Sequence, residues 1–448
     1  MLGRRDVLRL GAALVAGGAL APLVAGCSTG SSGGGSAGAS IPPPITLLHG
    51  GGDPRVEPAL WRVYQDFAAQ HPEVDWDIRP IPGGGPDWDR LARAQVAAGE
   101  PVGLIVMDGQ QVRSWARDGL LADLSSVPAM TQVLARVPQR FQLAATGEAG
   151  TRAFPLAVTR GVNTSGMFYN RAILERVGLD PPTTMDSLRA MVAPLARLGV
   201  APLVHCAGDA IFNPMLVAWV LPMLLEGSVD PLEFAERTLR GEIRYDDPEW
   251  VAAFEILADL HASGVLMEGS GAVDYATMQQ LLLQGRVAMT YNGTWLLPQL
   301  VAGSPTVDFD LHAAPLPGLV EGRPARSLLA WGGYALPARA AVNQDSVIAF
   351  LEYASRPEVD RSVVEGAQVY SPIAGSNEAI DDDLVLEFMP MFEHAITPLD
   401  WLWEPEITTE MGIQVQALLK GDTDPAAVGT SLQAIADDLR ANGRSYQP

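Results

Sequence analysis

The stretch GRVAMTYNGTW, from Gly285 to Trp295, combines the two patterns on which the fold prediction depends. Its first part, Val287 to Met289, is a short apolar run that is typical of a buried strand. Its second part, Asn292 to Thr294, contains the turn-forming residues asparagine and glycine. We therefore predict a strand that ends in a strand-to-helix turn, with Trp295 presented just after that turn.

Similar short apolar runs alternate with helical patterns on both sides of this stretch. The clearest helix is predicted from Pro248 to Ser263, with Asp247 as its cap, an apolar stripe from Trp250 to Leu260, and Gly264 at its end. The apolar run Ile211 to Leu225 predicts a buried helix, since it is too short to span a bilayer. Further strands are predicted at Ile45–Leu48, Val74–Ile78, Leu104–Met107, Met167–Tyr169, Pro202–Val204 and Tyr334–Leu336. This alternation predicts an α/β fold.

The N-terminus has the pattern of an export signal. Residues 1–26 contain two arginines near their start, Arg4 and Arg5. An uncharged run follows from Leu10 to Gly26, and Cys27 comes directly after it. This arrangement resembles the lipobox of bacterial lipoproteins, and the paired arginines resemble a twin-arginine signal. We expect lipidation at Cys27, with an ordinary membrane anchor as the alternative. Residues 27–44, rich in Ser, Gly and Pro, would be a tether that holds the body on the outer face of the cell membrane.

Charge and cysteine content exclude several classes of protein. The 448 residues contain 30 Lys and Arg against 52 Asp and Glu, which gives a net charge of −22. Such a surface repels phosphate backbones and anionic lipid headgroups, so we expect no nucleic-acid partner. Two cysteines cannot form a disulfide framework, and Cys206 is predicted to be a buried structural thiol.

The sequence contains few of the catalytic or metal-binding residue patterns that enzymes of this size carry. No pair of histidines has the spacing of a helical metal site, and the match to G-x-S-x-G at Gly30 to Gly34 lies in the tether. The glycine runs lack the lysine of a phosphate-binding loop. We therefore predict a protein that is not an enzyme and has no cofactor or metal. One alternative stays open, namely that two carboxylates form a pair that cleaves glycosides.

Three segments resemble the sugar-binding family (family 1) of extracytoplasmic solute-binding proteins of bacterial ABC importers, which includes the maltose-binding protein. The most specific is Gly285–Trp295, which is close to the family pattern G-x-A-A-M-x-x-N-G-x-W. The first of the others runs from Phe154 through the stretch GMFYNR at 166–171 to Thr184. The second runs from Ala314 through GGYALP at 332–337 to Tyr353.

This resemblance implies two α/β lobes of the type II periplasmic-binding-protein fold. The chain would cross the hinge more than once, and the ligand would lie in the cleft between the lobes. Lobe one would comprise about 45–157 plus 332–375, and lobe two about 158–331 plus 376–448.

The resemblance also suggests ligand-binding residues. The Asn-Gly-x-Trp part of the pattern places Gly293 and Trp295 at the ligand, where the tryptophan would stack on a sugar ring. Trp331, Trp401 and Trp403 are further aromatic candidates, with packing in the cleft wall as the alternative role. The polar candidates are Asp53, Asp108, Gln110, Gln111, Thr159 and Arg160.

Some of the polar candidates have alternative roles. Asp53 is equally a helix cap, Asp108 a turn residue and Arg160 a hinge ion pair. Gln110 and Gln111 stand where the maltose-binding protein has an Asp-Arg pair, so the specificity for maltose does not carry over.

The function implied is capture of a carbohydrate by lobe closure and its delivery to an ABC permease that is driven by a cytoplasmic ATPase. We expect a monomer. A polyol or a glycerol phosphodiester is an alternative ligand of the same kind of receptor. A surface glycoside hydrolase is the alternative from a different class.

Overall fold

The computed structural model describes residues 44–50, 56–81, 85–124, 128–137, 162–303, 305, 307–338, 344–373 and 375–445. The predicted export signal, Cys27 and the tether up to residue 43 lie outside these ranges. Asp53, Thr159 and Arg160 lie outside them as well.

The strands form a mixed sheet in the order β2-β1-β3-β8-β4-β6-β5, with β7 paired to β4. Their bounds are β1 Ile45–Gly50, β2 Trp76–Ile81, β3 Val102–Asp108, β4 Val162–Asn170, β5 Ala201–Val204, β6 Val287–Gly293, β7 Leu311–Ala314 and β8 Leu329–Ala335. β1 is parallel to β2 and β3, and β5 is parallel to β6. β4 is antiparallel to β6, β7 and β8.

Two strands belong to both halves of this sheet. The first part of β8, Leu329 to Trp331, pairs with Val162 to Thr164 of β4, and the rest, Gly332 to Ala335, pairs with β3. From Ser165 onward β4 leaves β8 and pairs with β6 and β7. We call β4 and β8 the crossing strands, because each changes partner partway along its length. The predicted α/β, two-lobed fold is confirmed, and the lobe boundaries stay a prediction.

Helices cover both halves of the sheet. In the half that contains β1 to β3 they are α1 Val56–Gln70, α2 Gly85–Ala97, α3 Gly109–Arg117, α4 Pro128–Ala135, α12 Gln344–Ala354 and α13 Pro357–Ala367. In the other half they are α5 Arg171–Arg176, α6 Met185–Ala196, α7 Pro214–Leu225, α8 Pro231–Leu239, α9 Pro248–Ala262, α10 Tyr275–Leu283, α11 Leu297–Ala302, α14 Asp383–Glu393, α15 Pro405–Lys420 and α16 Pro425–Ala441. No helix of the described ranges is long and apolar enough to span a bilayer.

The helix α9 follows its sequence pattern except at its cap. Trp250, Phe254, Leu257 and Leu260 are buried as a stripe, and Gly264 follows the helix with a φ of 73° that only glycine adopts at little cost. The predicted cap by the Asp247 side chain is wrong. Its carboxylate accepts instead from the backbone N–H of Arg244, because a tight turn precedes the helix.

Both halves of the sheet contain buried apolar clusters. Around β1 and β3 the core contains Tyr64, Phe67, Tyr334 and Phe350. In the other half, α7 is buried on nearly every face, as its uniformly apolar sequence predicts. Cys206 is also buried, as predicted, and burial raises the pKa of its thiol to about 12.

Candidate binding site at the crossing strands

The crossing strands bring together several residues that are distant in sequence. Asp108, the last residue of β3, pairs with Gly332 in β8, and the preceding residue Trp331 pairs with Val162 of β4. The end of β3, the middle of β8 and the start of β4 therefore lie side by side in the sheet. The side chains of Asp108, Gln110 and Trp331 lie outside the described part of the chain.

Trp295 lies next to this part of the sheet, at the end of β6. The strand ends at Gly293, which pairs with Ser165 of β4, and a 3-10 turn then runs from Thr294 to Leu296. The indole folds back over the glycine, because a Cβ added at Gly293 would lie only 2.1 Å from Cζ3 of Trp295. The φ of Gly293 is an ordinary −95°. Glycine is therefore required here by the close approach of the ring.

Thr294 fastens this turn to the crossing strand β4. Its hydroxyl donates to Oδ1 of Asn163 at 2.9 Å and accepts from the backbone N–H of Thr164 at 3.3 Å. Both partners belong to the part of β4 that pairs with β8. The position of Trp295 is thus coupled to the strand that links the two halves of the sheet.

Two aromatic residues that the sequence did not single out accompany Trp295. Tyr275, at the start of α10, stacks on Phe212 with ring centroids 4.8 Å apart and planes within 17°. Burial raises the pKa of the Tyr275 hydroxyl, and the Trp295 side chain partly opposes that rise. The sequence shows no signal for this cluster, since it joins residues more than 60 positions apart.

The turn Leu399–Trp401 lies where the two halves of the protein meet. It contacts α3, the helix that begins directly after β3 and carries Gln110 and Gln111. Trp401 joins the apolar cluster that also contains Val112 and Trp115 of α3. Trp401 and the two glutamines therefore lie on contacting elements.

Trp403 occupies a different environment from Trp401, although only one residue separates them. Its side chain is 2% exposed, and its ring centroid lies 5.5 Å from that of Trp250 in the core behind α9. This placement corresponds to the packing alternative, so we leave Trp403 out of the proposed binding residues.

Substituting alanine for Gly293 is expected to displace the Trp295 ring. The added methyl group cannot occupy a point 2.1 Å from the indole, so the ring or the turn has to move, at a cost of about 1–3 kcal/mol. Near-UV circular dichroism would report the changed tryptophan environment, and urea unfolding would report the lost stability.

Gly366→Ala is the matched control for this substitution. A Cβ at Gly366, in α13, would make an ordinary contact at 3.4 Å with Cβ of Ala59. We expect an unchanged spectrum and equal or slightly higher stability, because alanine is the better helix former. If Gly293→Ala behaved like this control, the close packing of Trp295 on Gly293 would be disproved.

The described residues contain no group of three His, Cys, Asp or Glu side chains that could hold a metal ion. The site instead combines planar aromatic rings with hydroxyl and amide groups. Such a combination is suited to binding a neutral polar molecule with apolar faces.

Comparison with known sequences agrees with this architecture. The family model for bacterial extracellular solute-binding proteins matches residues 53–361. A probable sugar-binding periplasmic protein of Brucella suis biovar 1 is 29% identical over 133 residues, which are 30% of this chain and 31% of that protein. The matched region thus spans about a third of that relative. The maltotriose-binding protein of Pyrococcus abyssi is 20% identical over 354 residues, 76% of this chain and 70% of the relative.

Solved structures share the fold over most of the chain. The GacH receptor of Streptomyces glaucescens, determined unliganded and with acarbose, has a TM-score of 0.72 at 20% identity and covers 90% of this chain and 99% of its own. Maltose-bound MalE3 of T. maritima has a TM-score of 0.70 at 18% identity, with coverages of 88% and 99%. Because the family model matches more than half of the sequence, the chain belongs to the bacterial extracellular solute-binding protein family.

Proposed function

We propose that this protein captures a carbohydrate between its lobes and delivers it to an ABC permease. The observation that carries the proposal is the indole of Trp295, which is held against Gly293 and fastened through Thr294 to a crossing strand. Sugars present apolar C–H faces that stack on such rings and hydroxyl groups that bind short polar side chains. Several relatives are named as sugar-binding proteins, which supports the same ligand class.

We assign the stacking role to Trp295 and Trp401. Trp331 is a third candidate, because its backbone lies at the point where β8 changes partner. The polar contacts would come from Asp108, Gln110 and Gln111 at the junction of β3 and α3, and from Asp53, Thr159 and Arg160. Amides replace the charged pair of the maltose-binding protein, so we expect a ligand pattern different from that of maltose.

The proposal includes a place in the cell. We infer export, lipidation of Cys27 and attachment of a monomer to the outer face of the membrane. Support comes from the small residues before the cysteine and from the uncharged run that precedes them. Mass spectrometry of the native protein would test this, since diacylglycerol on Cys27 adds a defined mass.

A thermal-unfolding screen tests the ligand class. The full chain, kept in a detergent without a sugar headgroup, would be heated with maltose, maltotriose, raffinose, stachyose, a chitin oligosaccharide or acarbose, ligands that appear in the names of relatives. A ligand at 100 times its dissociation constant adds about 2.7 kcal/mol to the unfolding free energy and raises the Tm. Glycerol and glycerophosphocholine would represent the alternative ligands. A Tm raised by these two and by none of the saccharides would contradict the carbohydrate assignment.

A further inference from the structure

Asp400 is a buried carboxylic acid with an unused hydrogen-bonding atom. It lies beside Trp401 in the turn Leu399–Trp401, which contacts α3, α7 and α8. The residue is 8% exposed, and its Oδ1 has no hydrogen-bond partner among the described residues. Burial of a carboxylate without donors is costly, so such a group needs a physical explanation.

The polar groups of Tyr291, Trp219 and Ser165 already have other partners, and Tyr291 lies close enough to Asp400 for the two to interact electrostatically. The hydroxyl of Tyr291 donates to the carbonyl of Met215 at 3.2 Å, and the indole N–H of Trp219 in α7 donates to the carbonyl of Pro317 at 3.3 Å. The hydroxyl of Ser165 accepts from the backbone N–H of Leu328 at 2.8 Å. No bond from these side chains to Asp400 is formed.

Among the described side chains of α7 and α8, which pack against the turn, no charged group is paired with Asp400. α7 contains no titratable residue, and Glu233 and Glu236 of α8 are exposed to solvent. Arg237 of α8 is paired with Glu242. α3 carries Arg113 and Arg117, whose side chains are outside the described set. Consistent with this environment, burial raises the pKa of Asp400 to about 7.

Asp360 is a second buried carboxylate, with which Asp400 can be compared. It is 3% exposed, and the hydroxyl of Ser371 donates to its Oδ2 at 2.6 Å. Asp360 therefore has a side-chain hydrogen-bond donor, whereas no described side chain donates to Asp400. A buried acid with an unpaired oxygen, next to an aromatic candidate and at the junction of the two halves, fits a group whose second donor comes from a ligand.

We propose that Asp400 is a ligand-binding carboxylate, whose free oxygen accepts a hydrogen bond from a hydroxyl group of the carbohydrate stacked on Trp401. This inference rests on the proposed function and adds a specific residue to it. A hydroxyl that donates to the carboxylate stabilises its ionised form. The ligand is therefore expected to bind more tightly when Asp400 is ionised and to expel its proton at neutral pH.

Calorimetric titration of the Asp400→Asn variant tests the inference. The full chain and the variant would be titrated with each of the six saccharides of the screen, at pH 5 and pH 8. We expect the variant to bind at least about tenfold more weakly at pH 8, because it loses a charge-assisted hydrogen bond. At pH 5 the difference should shrink, since Asp400 is then protonated in the free protein. Wild-type binding at pH 7 should release up to about half a proton, measured in buffers of different ionisation enthalpy, and the variant should lack this release.

The stability of the same variant provides a second readout. In the folded protein Asp400 retains its proton up to about pH 7, whereas in the unfolded chain it loses it near pH 4. The folded state therefore loses stability as the pH rises from about 4 to about 7. This loss of stability is complete above pH 7. Asp400→Asn should have a higher Tm than the wild type at pH 8, and an equal Tm at pH 4.

Asp360→Asn is the matched control, and it should leave saccharide affinity unchanged at both pH values. Equal affinities of wild type and Asp400→Asn at pH 8, together with the same proton release, would overturn the inference and leave the carbohydrate function intact. Failure of the wild type to bind any of the six saccharides would overturn both.

Discussion

Replacing Trp295 by alanine is expected to weaken saccharide binding by roughly 30- to 100-fold, which is about 2–3 kcal/mol, a range typical of a central aromatic contact. The substitution removes the ring that Gly293 and the Thr294 turn hold in place. Most of the fluorescence change caused by the ligand should disappear with it. Fluorescence titration with the saccharide that gives the largest Tm shift would measure both effects.

Trp61→Ala is the control for this experiment. Trp61 is 51% exposed on α1, in the opposite half of the protein, and its ring meets only the edge of Tyr64 among the described aromatic pairs. Its removal should change the total fluorescence and leave the affinity unaltered. An unchanged affinity in Trp295→Ala would remove the basis for the stacking assignment.

Replacing Trp250 by alanine is expected to lower the free energy of unfolding by about 3–5 kcal/mol, the cost of emptying a large aromatic site in a packed core. Trp250 is fully buried, and its ring lies 4.8 Å from that of Tyr245, 5.5 Å from Trp403 and 5.8 Å from Phe234. Urea unfolding followed by circular dichroism would give the change.

The same measurement on Trp61→Ala should give a change of about 0.5 kcal/mol or less, since exposed sites contribute little. Trp250→Phe should fall between the two, because it keeps most of the buried ring. A loss in Trp250→Ala no larger than that in Trp61→Ala would show that this cluster does not form the core.

The secondary structure could be predicted where the hydrophobic period is clear. α9 and α7 have strong patterns, and both lie within a few residues of their predicted bounds. β7, Leu311–Ala314, was missed because four residues with one histidine give no distinct period. β2 begins at Trp76, two residues later than predicted. The Asp247 cap failed because the side chain had a competing backbone donor at Arg244.

The candidate site could be predicted only where a motif marks it. The position of Trp295 follows from its turn, but the reason for Gly293 is a contact between ring and backbone that no local pattern reveals. Trp401 and Trp403 are equivalent in sequence terms, and only tertiary packing places them in two different apolar clusters. Asp400 carries no motif, because its significance comes from burial without a donor.

Carbohydrate capture can be measured directly by calorimetric titration of the full chain with the saccharides of the screen. We expect at least one of them to bind to a single site with a dissociation constant near the micromolar range, about −8 kcal/mol, and the heat to end at saturation. The absence of binding heat for every saccharide would disprove the capture of these carbohydrates. Heat that continued after saturation, with shorter sugars appearing in the cell, would indicate a glycoside-cleaving enzyme instead.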